Sequence, residues 1–137
     1  MLGGVLHLEQ NTENITNEYG AIKITDEVVA IIAGIAATEV PGVYSMSGGL
    51  AGDIAEALGR KNLSKGVKVE VGEKQAAIDL YIIIEYGYRI PEVAWNIQEK
   101  VKKAVESMTG LNVVEVNIHI QGVNIEKESK EAGIQNI

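Results

Sequence analysis

Few residues in this chain carry side chains that could do chemistry, and their spacing limits what each can do. His7 and His119 are the two histidines, and there is no cysteine. That removes thiol nucleophiles, disulfides and Cys-ligated zinc together, and it leaves too little imidazole for a His-based metal site. Asp79 and Glu85 are the obvious pair of carboxylates for acid–base work. They lie six residues apart on one face of a β-type run, which is about 20 Å along a strand. Groups that far apart cannot share one substrate bond, so they read as charges on a solvated face. Asp53 and Glu56 have the spacing of a helix cap, and Ser45, Ser47 and Ser64 have no base near them in the pattern. His119 falls on the polar side of a strand, with Tyr81, Asp79 and Glu115 as its nearest company. A general base also needs a hydrogen-bonded partner and a pocket, so no catalytic, cofactor-binding or metal residue is assigned.

Glycines 48, 49 and 52 do not make a phosphate loop, because no strand is expected to lead in and no Lys-Ser or Lys-Thr follows. Gly49-Leu50-Ala51-Gly52 does match the GXXG of RNA-binding KH domains, which clamps a nucleic-acid backbone. Arg60, Lys61 and Lys65, the densest basic cluster in the chain, would assist such a clamp. Against this, Leu50 and Ala51 bring no charge and Asp53 follows at once. The net charge of −7 also disfavours general affinity for nucleic acid or anionic lipid. RNA binding through Gly49, Gly52 and the basic cluster therefore stands as the alternative reading.

The elements that must position these residues follow from the apolar pattern. At 137 residues the chain is one domain, and with no Phe and one Trp its core must be aliphatic, which favours strands. Residues 77–87 (AIDLYIIIEYG) form the most apolar β-type run. Ile78, Leu80, Ile82, Ile84 and Tyr86 share one face, and Asp79, Tyr81, Ile83 and Glu85 share the other. Residues 66–71 alternate with Val67, Val69 and Val71 inward, and the short polar turn after them predicts an antiparallel hairpin. Residues 19–25 make a short strand, and Thr25-Asp26-Glu27 caps a helix over 26–39. That helix carries a stripe of Val28, Ile31, Ile32 and Ile35, yet its remaining sides are mostly alanine, so it is expected to be covered on more than one side. Residues 43–52 read as a mobile glycine-rich loop, and 53–58 as a short helix. A second long helix starts near Pro91 and closes at Thr109-Gly110, with Ala94, Ile97, Val101, Ala104, Val105 and Met108 as its stripe. The last strand, 112–123, turns Val114, Val116, Ile118 and Ile120 inward.

The order is β-α-(short α)-β-β-α-β. A right-handed crossover sets the last strand beside the long one, which the 66–71 strand flanks on its other side. The expected fold is α+β, a small mixed sheet with helices on one face and the other face open. Residues 1–18 read as a flexible leader, 19–125 as the domain and 126–137 as a flexible charged tail. On the open face, Tyr81 and Ile83 are apolar among charges, and His119 lies near them. Two readings stand side by side: the face is a partner surface, or the leader or tail folds across it.

The ordered set of short motifs resembles the alkaline shock protein family of Gram-positive envelope stress response proteins. The motifs are Tyr19-Gly20-Ala21-Ile22-Lys23-Ile24, the run IIAGIAATEVPG at 31–42 with Val43, Glu85-Tyr86-Gly87, Ile90-Pro91-Glu92-Val93, Gln98 with Val101, Thr109-Gly110-Leu111, and Val114-Glu115-Val116-Asn117-Ile118. The resemblance spans about residues 19–123. It implies a non-enzymatic protein of envelope homeostasis that self-associates and is held at the inner membrane face by a membrane-anchored relative. It implies no catalytic residue, cofactor or small-molecule substrate, because the shared motifs are fold residues. With no run of membrane-spanning length and no convincing signal peptide, the chain is expected in the cytoplasm.

Overall fold

The computed structural model describes residues 12–48 and 64–125. Strands β1 (Thr12–Asn17) and β2 (Gly20–Thr25) form an antiparallel hairpin that stands apart from the main sheet. Helix α1 (Asp26–Thr38) follows, then strands β3 (Val43–Met46), β4 (Val67–Gly72) and β5 (Gln75–Glu85), helix α2 (Ile90–Thr109) and strand β6 (Asn112–Asn124). The expected α+β class and the mixed sheet are present. The short helix over 53–58, Gly49, Gly52, Arg60, Lys61 and the tail lie outside the described residues.

β5 is the centre of the sheet. Along one edge it pairs in parallel with β6 over its whole length, as the βαβ crossover through α2 requires. A strand has only two edges, so the antiparallel partners must divide the other one. β4 takes Gln75 to Leu80 and β3 takes Ile82 to Ile84. The handover falls at Tyr81, whose N–H donates to Gly66 O (2.9 Å) and whose carbonyl accepts from Ser47 N–H (2.7 Å).

The inner face of β5 carries the core. Ile78, Leu80 and Ile82 are fully buried and Ile84 is nearly so, each contributing about 1.5–3 kcal/mol by the usual area argument. Val67, Val69 and Val71 of β4 pack against them, as expected, with Ile97, Val101 and Val105 of α2 above. Thr25 caps α1 by accepting from Val28 N–H (3.4 Å). Gly110 closes α2 in the left-handed conformation, φ +80°. Glu106 ties α2 to β6 by accepting from Lys102 Nζ (2.8 Å) and Val113 N–H (2.9 Å), while Lys102 also donates to Val113 O.

Several expectations change. Residues 43–46 are a strand: Val43 and Met46 are buried, and pairing with β5 outweighs the glycines that follow. Thr12–Asn17 is likewise a strand, paired with β2 rather than loose. Val114 is half exposed and Val113 buried in its place, because the pairing skips Val114 between Ala76/Val113 and Ala77/Glu115; such a bulge reverses the sides of the residues before it. Tyr86 is 61% exposed, since the strand ends at Glu85 and Tyr86 lies in the turn. In α2, Met108 is exposed and Val93 buried.

The fit of α1 explains its unusual composition. It is Val29, Ala30, Ala33, Ala36 and Ala37 that face the body, with Gly34 also buried; small side chains let the helix approach closely. Val28 and Ile35, at 44% and 43% exposure, point away. Of the stripe read from the sequence, Ile32 packs against the core while Val28 and Ile35 lie outside it.

Two predictions follow from these contacts. Gly66 has φ +76°, and a Cβ there would lie 2.5 Å from Ser47 O and 3.1 Å from Tyr81 O. Gly66→Ala is expected to lower stability by about 2–4 kcal/mol, read by urea denaturation. The carboxyl of Glu106 is held below its ordinary value, first by Lys102 and then by the Val113 N–H. A depressed carboxylate stabilises the fold above its unfolded pKa, and the effect disappears as pH falls through the folded one. Glu106→Gln should therefore melt lower than the parent at pH 7, and the two melting curves should converge below about pH 4.

Candidate functional site

The sheet register assembles the open face in rows. Residues directly paired across neighbouring strands point the same way, so Glu70, Ala77 and Glu115 form one row and Lys68, Asp79 and Asn117 the next. Tyr81 and His119 follow, then Ser45, Ile83 and Gly122, and last Glu85 and Asn124. Among the described residues no helix covers this side; Ala77, Asp79, Tyr81, Ile83 and Glu85 are all half-buried, in contrast to the buried residues between them.

The three residues singled out from the sequence, Tyr81, Ile83 and His119, come together here. The rings of Tyr81 and His119 stack with centroids 4.5 Å apart and planes within 10°. His119 Nε2 lies 3.1 Å from Asp79 Oδ1, and an ionised carboxylate can only accept, so the ring donates. Asp79 thus fixes the orientation of the ring that flanks Tyr81. Glu115, the other expected neighbour, instead accepts from Asn117 Nδ2 (2.8 Å).

Two glycines lie beside Tyr81 and Ile83, and these the sequence reading missed. Beside the Tyr81 backbone, Gly66 leads into β4. Beside Ile83, β6 presents Gly122, and a Cβ there would lie 3.1 Å from Ile83 Cδ1. Only the register could have paired these glycines with those side chains. A hydrogen bond from Ser47 Oγ to Gln121 Oε1 (3.2 Å) links the residues on either side of β5.

The His119–Asp79 couple has the partner a general base needs but not the enclosure. Their side chains are 43% and 35% exposed. A shallow groove beside them is lined by Asp26, Glu27, Ser64, Lys68, Glu70, Asp79 and Tyr81 among others, without His119. Among the described residues, no three His, Asp or Glu side chains gather as metal ligands. Of the alternative nucleic-acid set, Gly49, Gly52, Arg60 and Lys61 lie outside the described residues; Lys65 lies against Gly48 at the foot of that segment. A strand, β3, does lead towards this glycine stretch, contrary to expectation.

A small mixed sheet, roofed by helices on one face and presenting an aromatic ridge on the other, defines an α+β domain built around a surface rather than a cavity. The chain belongs to the alkaline shock protein 23 family, described as having a cell envelope-related function, whose model matches residues 14–125. It is 40% identical over 115 residues to YqhY of Bacillus subtilis (strain 168), covering 84% of this chain and 85% of that protein. It is 32% identical over 128 residues to the stress response regulator gls24 homolog of Streptococcus pyogenes serotype M3, covering 92% of this chain and 71% of the relative. The solved MamM CTD matches at TM-score 0.46 and 18% identity, over 74% of this chain and 89% of that one, a likeness too loose to bear on function. No helix of the described residues is long and apolar enough to cross a membrane.

The stack itself is testable. Tyr81→Ala and His119→Ala should each cost about 1 kcal/mol, and a double-mutant cycle should return a coupling of about 0.5–1.5 kcal/mol.

Proposed function

We propose that this protein is a non-enzymatic, self-associating interaction protein of the envelope stress response. It works in the cytoplasm and docks on a membrane-anchored partner at the inner face of the membrane. The observation that carries this reading is the Tyr81–Ile83 ridge on the sheet face away from the two described helices, with His119 stacked on Tyr81 and Gly122 against Ile83. Tyrosine in a rigid, half-exposed setting offers much contact area at little entropic cost, the usual character of an interface anchor. The family's envelope-related function supports the setting, and the resemblance that runs through the chain supplies the anchored partner.

Self-association has a separate candidate surface. The outward stripe of α1 exposes Val28 and Ile35 on the far side from the sheet. An apolar stripe on a helix whose other side is already packed is a natural seam for a second copy.

The two surfaces can be separated. Tyr81→Glu with Ile83→Glu should abolish capture of a membrane-fraction partner while the protein keeps its circular dichroism spectrum and its sedimentation coefficient. Val28→Ser with Ile35→Ser should do the opposite, lowering the sedimentation coefficient at high concentration and sparing capture. Unchanged capture by the folded Tyr81/Ile83 variant would remove the sheet face from this role.

A further inference from the structure

The chemistry of the partner can be read from what surrounds the ridge. Among the described residues of the paired strands β4, β5 and β6, the open face carries Glu70, Asp79, Glu85 and Glu115 against one lysine, Lys68. The groove that meets the face at Asp79 and Tyr81 extends this imbalance around the β4 edge, adding Asp26 and Glu27 from the start of α1. One carboxylate of the set is engaged by a cationic-capable group, Asp79 by His119. No salt bridge between Lys68 and a carboxylate is among the ion pairs of the described residues. The face is therefore an apolar and aromatic ridge inside an acidic surround, continuous with an acidic groove.

Like charges spread over one face add up to a negative potential, and an opposite charge on an incoming chain is drawn to it. An apolar partner of neutral or acidic character would gain the ridge and leave the carboxylates uncompensated. Tyr81 adds a ring face suited to a guanidinium or ammonium group. From Ala77 to Glu85, the ridge and its flanks run about 27 Å, the reach of roughly eight residues in extended form.

We propose that this face binds an extended lysine- and arginine-rich polypeptide segment, its aliphatic stems lying along Tyr81 and Ile83 and its charged ends reaching the surrounding carboxylates. The inference rests on the docking reading above and gives that partner a chemistry. Segments on the cytoplasmic side of a membrane span are enriched in just these residues, so an anchored partner would present one within reach.

The test uses the full chain, labelled for NMR, and a ten-residue Lys-Thr repeat, with a Glu-Thr repeat as its counterpart. The Lys-Thr peptide should shift the amides of Asp79, Tyr81, Ile83 and His119 and lose affinity as salt rises. Glu27→Gln with Glu70→Gln and Glu85→Gln should weaken it about tenfold or more without changing the melting temperature appreciably. Equal binding of the Glu-Thr repeat, undiminished affinity in the triple variant, or shifts mapping to Val28 and Ile35 would overturn the proposal. So would occupation of the face by a second copy, seen as peptide binding that fails once the protein self-associates. Membrane-fraction capture lost in the Tyr81/Ile83 variant but kept in the triple glutamine variant would overturn the basic occupant and leave the docking surface standing. Capture intact in both would remove both.

Discussion

Everything in this structure depends on β5 having both edges paired and one face fully buried. The parallel partner β6 occupies one edge throughout. The other edge is divided, and the division requires two strands to meet end to end at Tyr81 without a side chain between them. Gly66 is the residue that allows it, because its left-handed backbone and missing Cβ let β4 begin directly against the end of β3. A backbone junction of that kind leaves Tyr81 with a hydrogen-bonded main chain and a half-buried ring stacked on His119. The position of greatest structural constraint is thus also the centre of the proposed surface. A rigid anchor loses little freedom on binding, and β5 supplies that rigidity from its buried side, where Leu80 and Ile82 are fully covered.

The distribution of small residues follows the same logic. On α1 the alanines and Val29 face the body, so the helix lies close and Val28 and Ile35 are left outside. On the sheet, Gly66 lets the backbones of β3 and β5 come together with its own, and Gly122 leaves the space that the Ile83 side chain fills. In both places a small residue does structural work by close approach, and a large apolar residue is displaced to the surface. Scattered exposed apolar residues are ordinary, but large ones set out by glycines and alanines form organised surfaces. This puts the two proposed surfaces on different faces of the domain, so that a partner on one need not block the other.

How much of this was legible depends on whether a feature is local. The capping of α1 by Thr25, the closing of α2 at Gly110, the inward valines of β4 and the alternation of β5 are all local patterns, and each is found as expected. The gathering of Tyr81, Ile83 and His119 was also within reach, since it needs only strand alternation and the parallel placement of β6. What failed was register. A bulge at Val114 exchanges it with Val113, and no single sequence marks where a ladder will skip a residue. The edge strand β3 was hidden by the glycines after it. On α1 an apolar pattern nearly all round left open which side would meet the body, and closeness of approach decided for the alanine side.

The acidic surround gives the ridge a direction. A purely apolar ridge would attract any exposed aliphatic surface, including its own copies and unfolded chains. Carboxylates at its borders penalise neutral and acidic partners through desolvation and repulsion, while a basic chain turns the same charges into attraction. Exposed ion pairs add little affinity individually, so the ridge must supply most of the binding energy and the carboxylates most of the discrimination. The orientation of His119 by Asp79 belongs to this division: it uses one acidic side chain to hold the aromatic anchor, and leaves Glu70, Glu85 and Glu115 on the same face to choose what the anchor holds.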